Sequence, residues 1–277
     1  MKQIFVTLSL SALLLASASV GFTQSFTLYN GASNVTLDDP SWGWNYVSQG
    51  GSAIKTAGGG MTTLDSTASD SISAGFSTVT SSRSTPFILD NARGYTVGFD
   101  IQVNTENHSN PAADKNADGL ADRSGVNLIV LGSDHKGLEL AFWQDEIWPQ
   151  QDNPLFIHNA LKERAQGVSL TSLLTHYDLR IQGNNYVLAN GGGTVLLTGN
   201  LRDYAANGAP ALPYAGQNFL FLGDDTTSAR GSVGIAGVKL LLATPEPGAW
   251  ALLGSGLAGG ALLGRRRNRS SAKKNVR

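Results

Sequence analysis

Period two is the recurring signal along the chain. In 95–103, Tyr95, Val97, Phe99, Ile101 and Val103 alternate with Thr96, Gly98, Asp100 and Gln102, the pattern of a strand with one buried face. Further short runs predict strands at 26–30, 84–90, 126–132, 137–144, 176–182, 185–189, 194–199, 218–223 and 232–242. Turn residues separate them: GSDHKG at 132–137, NGGG at 190–193 and GDDTTSARG at 223–231. Only NALKERAQG, 159–167, offers a helical turn. Ten strands in one body need two packed sheets, so the expected class is all-β, an antiparallel two-sheet β-sandwich of jelly-roll type.

The pattern changes in three places. Residues 25–94 are rich in Ser, Thr and Gly, yet Trp42, Trp44, Tyr46, Ile72, Phe76 and Phe87 are spread through them. So many aromatics argue against a disordered leader, and edge strands with long loops of the same sandwich are expected. At the start, Lys2 precedes a largely apolar run from Ile4 to Leu15 and then Ala16-Ser17-Ala18, which predicts a signal peptide over 1–18. At the other end, Pro245-Glu246-Pro247 precedes an uncharged stretch, 248–264, followed by Arg265, Arg266, Arg267 and Arg269. About 16 helical residues at 1.5 Å each reach roughly 24 Å, slightly short of a hydrocarbon core of about 30 Å, so a short C-terminal membrane helix is expected. The arginines would stay on the cytoplasmic side, which puts the body, 19–244, outside the cytoplasm as one domain.

Tripeptide, apolar segment and arginine cluster in that order, over 245–269 with a basic tail at 270–277, resemble the PEP-CTERM sorting signal. The resemblance implies processing at Pro245-Glu246-Pro247 by an exosortase-type membrane protease and delivery to the cell surface.

Charge narrows the partners. Eight of the 20 basic residues and only one of the 21 acidic ones lie in these ends, so the body carries 12 basic against 20 acidic residues. A nucleic-acid partner is excluded, since phosphate binding needs a basic face. The chain has no cysteine, so stability must come from the core, with or without a metal.

GYTVGFDIQV at 94–103 and the 177–204 hairpin region are similar to the core of laminin-G-like and concanavalin-A-like sandwiches. The segments 114–150 and 219–231 resemble the choice-of-anchor Y domain, a group of bacterial surface proteins, with the likeness running from about residue 25 to 242. That resemblance implies fold and location and no chemistry. Sandwich hydrolases of laminarinase type carry acids at i, i+2 and i+4 on one strand. Here Glu139 is followed by Leu140, Ala141, Phe142 and Trp143, so the pattern fails. His108, His135, His158 and His176 show no zinc spacing, and no G-x-S-x-G elbow is present. No catalytic residue is therefore assigned.

Two candidate sites remain. Trp143 and Trp148 flank Asp145 and Glu146, flat apolar faces beside carboxylates; they either form a sugar-binding platform or fill the core. Asp114, Asn116, Asp118 and Asp122 occupy positions 1, 3, 5 and 9 of a calcium-type loop, with Gly119 at the sixth place and the Leu120 carbonyl at the seventh. Gly125 stands where an EF-hand has its bidentate Glu, and the spacing is closer to thrombospondin-type loops. A weak structural calcium ion and an exposed turn with its own side-chain bonds both suit these residues. The expectation is an exported, surface-sorted, non-catalytic β-sandwich of the extracellular polysaccharide matrix; the alternative is a carbohydrate-active hydrolase or lyase.

Overall fold

A computed structural model describes residues 22–78, 86–158, 163–171 and 173–243. The signal and sorting segments, with Pro245, Glu246, Pro247, Arg265, Arg266 and Arg267, lie outside the described residues. So does the expected membrane helix; among the described residues no helix is long and apolar enough to cross a membrane.

The described residues form fifteen strands: β1 (Phe22–Asn30), β2 (Asn45–Gln49), β3 (Ile54–Gly58), β4 (Met61–Asp65), β5 (Ser73–Ser77), β6 (Tyr95–Asn107), β7 (Asn127–Leu131), β8 (Gly137–Phe142), β9 (Glu146–Pro149), β10 (Ala165–Gln166), β11 (Thr175–Gln182), β12 (Asn185–Asn190), β13 (Val195–Asn200), β14 (Phe219–Asp224) and β15 (Arg230–Ala243). One short helix, α1 (Ala211–Tyr214), lies between β13 and β14. The strands make two antiparallel sheets. The first has the order β13-β12-β11-β6-β15-β4-β3, with β1 also on β15; the second has the order β10-β9-β8-β7-β14-β5-β2. The all-β sandwich expected from the alternation is what the chain builds.

In the first sheet the long strands β6 and β15 pair along their length, with register shifts at Ser232/Val233 and Ile235/Gly237. One edge of β15 is shared in succession: β4 pairs with Ser232–Ile235, and β1 takes over from Gly237 to Ala243. The second shift falls at this handover, as expected of a bulge that bends a strand. Val97, Phe99, Ile101 and Val103 face the interior, where Phe99 stacks on Tyr177 at 5.4 Å and meets Phe142 edge-on at 6.1 Å. Leu128 and Val130 of β7, Leu138 and Leu140 of β8 and Leu220 and Leu222 of β14 close the core from the second sheet.

The central strands of the second sheet, β7, β8 and β14, are buried on both faces. Ile129, Leu131, Phe219 and Phe221 point away from the main core and pack with Tyr204 and Tyr214 under the segment 201–217. This second burial explains why β7 and β14 read as continuous apolar runs rather than alternating ones.

Two expectations change, and a third is met. The described part of 84–90 is not a strand: Phe87 and Leu89 are buried, but Pro86 has no N–H to give a ladder and the Leu89 N–H is taken by the Asn218 side chain. The end of the expected helical turn, Ala165–Gln166, is a strand paired with β9. The Ser/Thr/Gly-rich part supplies β2 to β5 at the sheet edges, with Trp44 buried and its indole N–H donating to the Leu28 carbonyl at 3.0 Å.

Candidate functional site

A cleft opens at one end of the sandwich, where β6 stops. There a tight turn between β8 and β9, closed by the Trp143 N–H on the Glu146 carbonyl at 2.9 Å, presents Gln144 and Asp145 to solvent. The segment after β10 forms the facing side, tied down by Leu170 N–H to the Gln144 carbonyl and Val103 N–H to the Leu170 carbonyl, both 3.1 Å. The cleft measures about 560 Å³ and is lined by Glu106, His108, Gln144, Asp145, Ser169 and Thr171 among others.

Glu106 and His108 are the chemically distinctive pair. The Glu106 carboxyl is buried, accepts the Gly125 N–H at 3.1 Å and lies 2.7 Å from His108 Nδ1. Burial pushes this carboxyl above its usual range, His108 and the Gly125 amide pull it back, and Asp145 adds to the rise. The His108 ring stacks on Trp143 at 4.1 Å with 19° between planes. The imidazole is thus fixed at Nδ1 and across one face, leaving Nε2 as its remaining polar atom, the arrangement of an oriented base or hydrogen-bond donor.

The residues singled out by sequence are divided among different environments. Trp148 is fully enclosed and Trp143 is 9% exposed; they pack on each other at 4.1 Å between ring centroids and both contact His158. Neither offers a flat open face, so of the two alternatives the tryptophans fill a small satellite core. Glu146 is buried against His158 Nε2 at 2.7 Å, and only Asp145 of the four reaches the cleft as an exposed group.

The acidic loop is stitched by backbone amides. Asp114 accepts the Gly119 N–H at 2.9 Å, Asn116 Oδ1 the Asp118 N–H at 3.0 Å, and Asp118 the Leu120 N–H at 2.9 Å; Leu120 itself is exposed. Asp122 is completely buried. Its Oδ1 accepts the His158 N–H at 2.7 Å and its Oδ2 the Lys115 N–H at 2.6 Å. Among the described residues no three acidic or histidine side chains are grouped to hold a metal.

A second cluster was not visible in the sequence. Behind β8, Arg123 is buried with Nη2 3.1 Å from Asp225 and Nη1 3.5 Å from Glu139. The Tyr214 hydroxyl lies 2.5 Å from Glu139 and 3.0 Å from Asp225. Burial, with Asp225 alongside, raises Glu139 to about 8 against the pull of Arg123. Glu139 is therefore a fully buried acid. Glu106 and His108 had a local signal, an E-x-H step at the end of an alternating strand, whereas Arg123, Glu139, Tyr214 and Asp225 come from four separate segments.

No family model and no curated protein matches this chain. Among solved structures, it is similar to a carbohydrate esterase from the Shiga toxin-encoding bacteriophage phi24B, with TM-score 0.45 and 12% identity over 80% of this chain and 100% of that one. It is also similar to a family 7 alginate lyase, with TM-score 0.42 and 10% identity over 80% and 93%. A third is domain 4 of an extracellular GH43 arabinanase from Geobacillus stearothermophilus, with TM-score 0.40 and 11% identity over 81% and 94%. At these values neither an activity nor a residue role is carried from them to this chain.

Proposed function

We propose that the protein is an exported, surface-sorted β-sandwich that binds extracellular polysaccharide through its end cleft. The cleft itself carries the reading: about 560 Å³ lined by an amide, carboxylates, hydroxyls and one fixed imidazole, the mixture of donors and acceptors that sugar hydroxyls require. The net acidic body and the resemblance of the C-terminal segment to a sorting signal support placement at the cell surface rather than on nucleic acid. A glycan array probed with the full chain tests the proposal, with the Gln144→Ala, Asp145→Ala double variant as control. Binding to a defined set of glycans that is lost in the variant is the expected result, and absence of binding, or binding indifferent to the variant, rejects it.

One observation favours a second reading. The Glu106–His108 pair would serve a glycan hydrolase or lyase as a general base. Release of new sugar ends from a bound glycan, abolished by His108→Ala, would select this reading over binding alone.

A further inference from the structure

The lining of the end cleft has a sign. Glu106 and Asp145 are its carboxyls and, among the described residues, no Lys or Arg lines it. The Glu106 side chain is enclosed and lies 2.7 Å from His108 Nδ1. With one proton between them that pair carries no net charge, whichever of the two holds it. Asp145, exposed on the turn between β8 and β9, therefore sets the charge that a ligand meets. The two carboxyls also act on one another: burial raises the Glu106 carboxyl, and the charge of Asp145 adds to the rise.

The hydrogen-bonding groups lean the same way. Gln144 Nε2 already donates to the Glu106 carbonyl at 3.1 Å, so the side chain offers a ligand its Oε1, an acceptor. Asp145, as a carboxylate, offers acceptors only. The hydroxyls of Ser169 and Thr171 on the facing side can either donate or accept.

Such a lining suits a ligand with a positive charge and a surplus of donors. A uronate would bring its carboxylate against Asp145 with no cation to compensate, and a neutral sugar gains nothing from the charge. An amino sugar answers both features, with three donors on one ammonium group and hydroxyls for the rest of the cleft. Building on the binding role given above, we propose that the cleft takes a glycan of unacetylated amino sugars, the ammonium group of one hexosamine unit donating to Asp145 and to Gln144 Oε1.

Calorimetric titration of the full chain tests this with glucosamine tetramers, β-1,4- and β-1,6-linked, their N-acetylated counterparts and a galacturonate tetramer. Acetylation removes the charge and keeps ring and linkage, so the ratio of the two affinities isolates the amine. The contact is exposed and screened, so glucosamine should bind about threefold to fivefold more tightly in low salt, with a smaller ratio in about 0.5 M salt and with galacturonate weakest. Asp145→Asn should bring the ratio near one, and its exposed place on the turn spares the core. Asp178→Asn removes the same charge from an exposed position on the outer face of the first sheet and should leave the ratio as it is. Equal affinities, a preference for the acetylated ligand, a preference that survives Asp145→Asn, or a lysine tetramer that binds as well as the glucosamine tetramer overturns the amino-sugar assignment. Equal affinities leave the wider binding role standing. If no sugar tetramer binds, the assignment also falls, and the glycan array then decides the wider role by itself.

Discussion

Glu139 shows how burial changes what a residue does. On an open strand face it would be an ordinary carboxylate; enclosed by Arg123, Tyr214 and Asp225, it is raised to about 8. The folded chain then keeps a proton that the unfolded chain has released in the normal carboxylate range. Between those values the native state binds more protons, so stability falls as pH rises through this window. Asp224, raised to about 9 by burial, acts in the same direction. Each pKa unit of displacement corresponds to about 1.4 kcal/mol, so the slope is measurable. Urea unfolding at pH 5 and pH 8 should give a lower midpoint at pH 8, and Glu139→Gln, which imitates the protonated acid, should reduce the difference; equal slopes in both proteins would refute the assignment. The sequence showed Glu139 as an acid among apolar neighbours, but nothing in 137–142 could reveal partners more than ten residues away on either side.

The loop between β6 and β7 is the element whose chemistry the sequence left open. Its spacing suits calcium, and its folded form uses the same oxygens to accept backbone N–H groups. Asp122 is the anchor, because its buried carboxylate binds both the loop at Lys115 and the segment preceding β10 at His158. Asp122→Ala should lower the melting temperature by several degrees, consistent with a loss on the order of 1–3 kcal/mol for stranded donors, whereas Asp114→Ala should have a much smaller effect. Calorimetry with and without a few millimolar calcium decides the cation's role. A calcium-dependent rise that disappears in Asp114→Ala would restore the metal to this loop. The β8–β9 hairpin teaches the same lesson about local reading: period two correctly opposed Trp143 to Phe142, but the packing of Trp143 on Trp148 and His108 required the fold.

For the whole molecule, the proposal of surface sorting rests on the ends of the chain, and it makes a direct prediction. Deleting 245–277 should release the body into the periplasm or medium, and replacing Arg265, Arg266, Arg267 and Arg269 with Ser should impair retention, because those charges halt translocation. Cell fractionation checks both, and a truncated protein still firmly bound to membrane would refute the anchor. The sequence by itself determined the all-β class and most central strands, because alternation is a local consequence of the pleat and needs no knowledge of neighbours. It also determined the acidic balance of the body and the absence of disulfides. Tertiary structure alone decided that the tryptophans of the hairpin are enclosed and that Glu106 holds His108 at a cleft. It alone brought Arg123, Glu139, Tyr214 and Asp225 together. The reason is physical: a side chain's solvent, charge partners and proton affinity are set by strand order and by the loops that cover a sheet, and those contacts join residues as far apart as 165 positions.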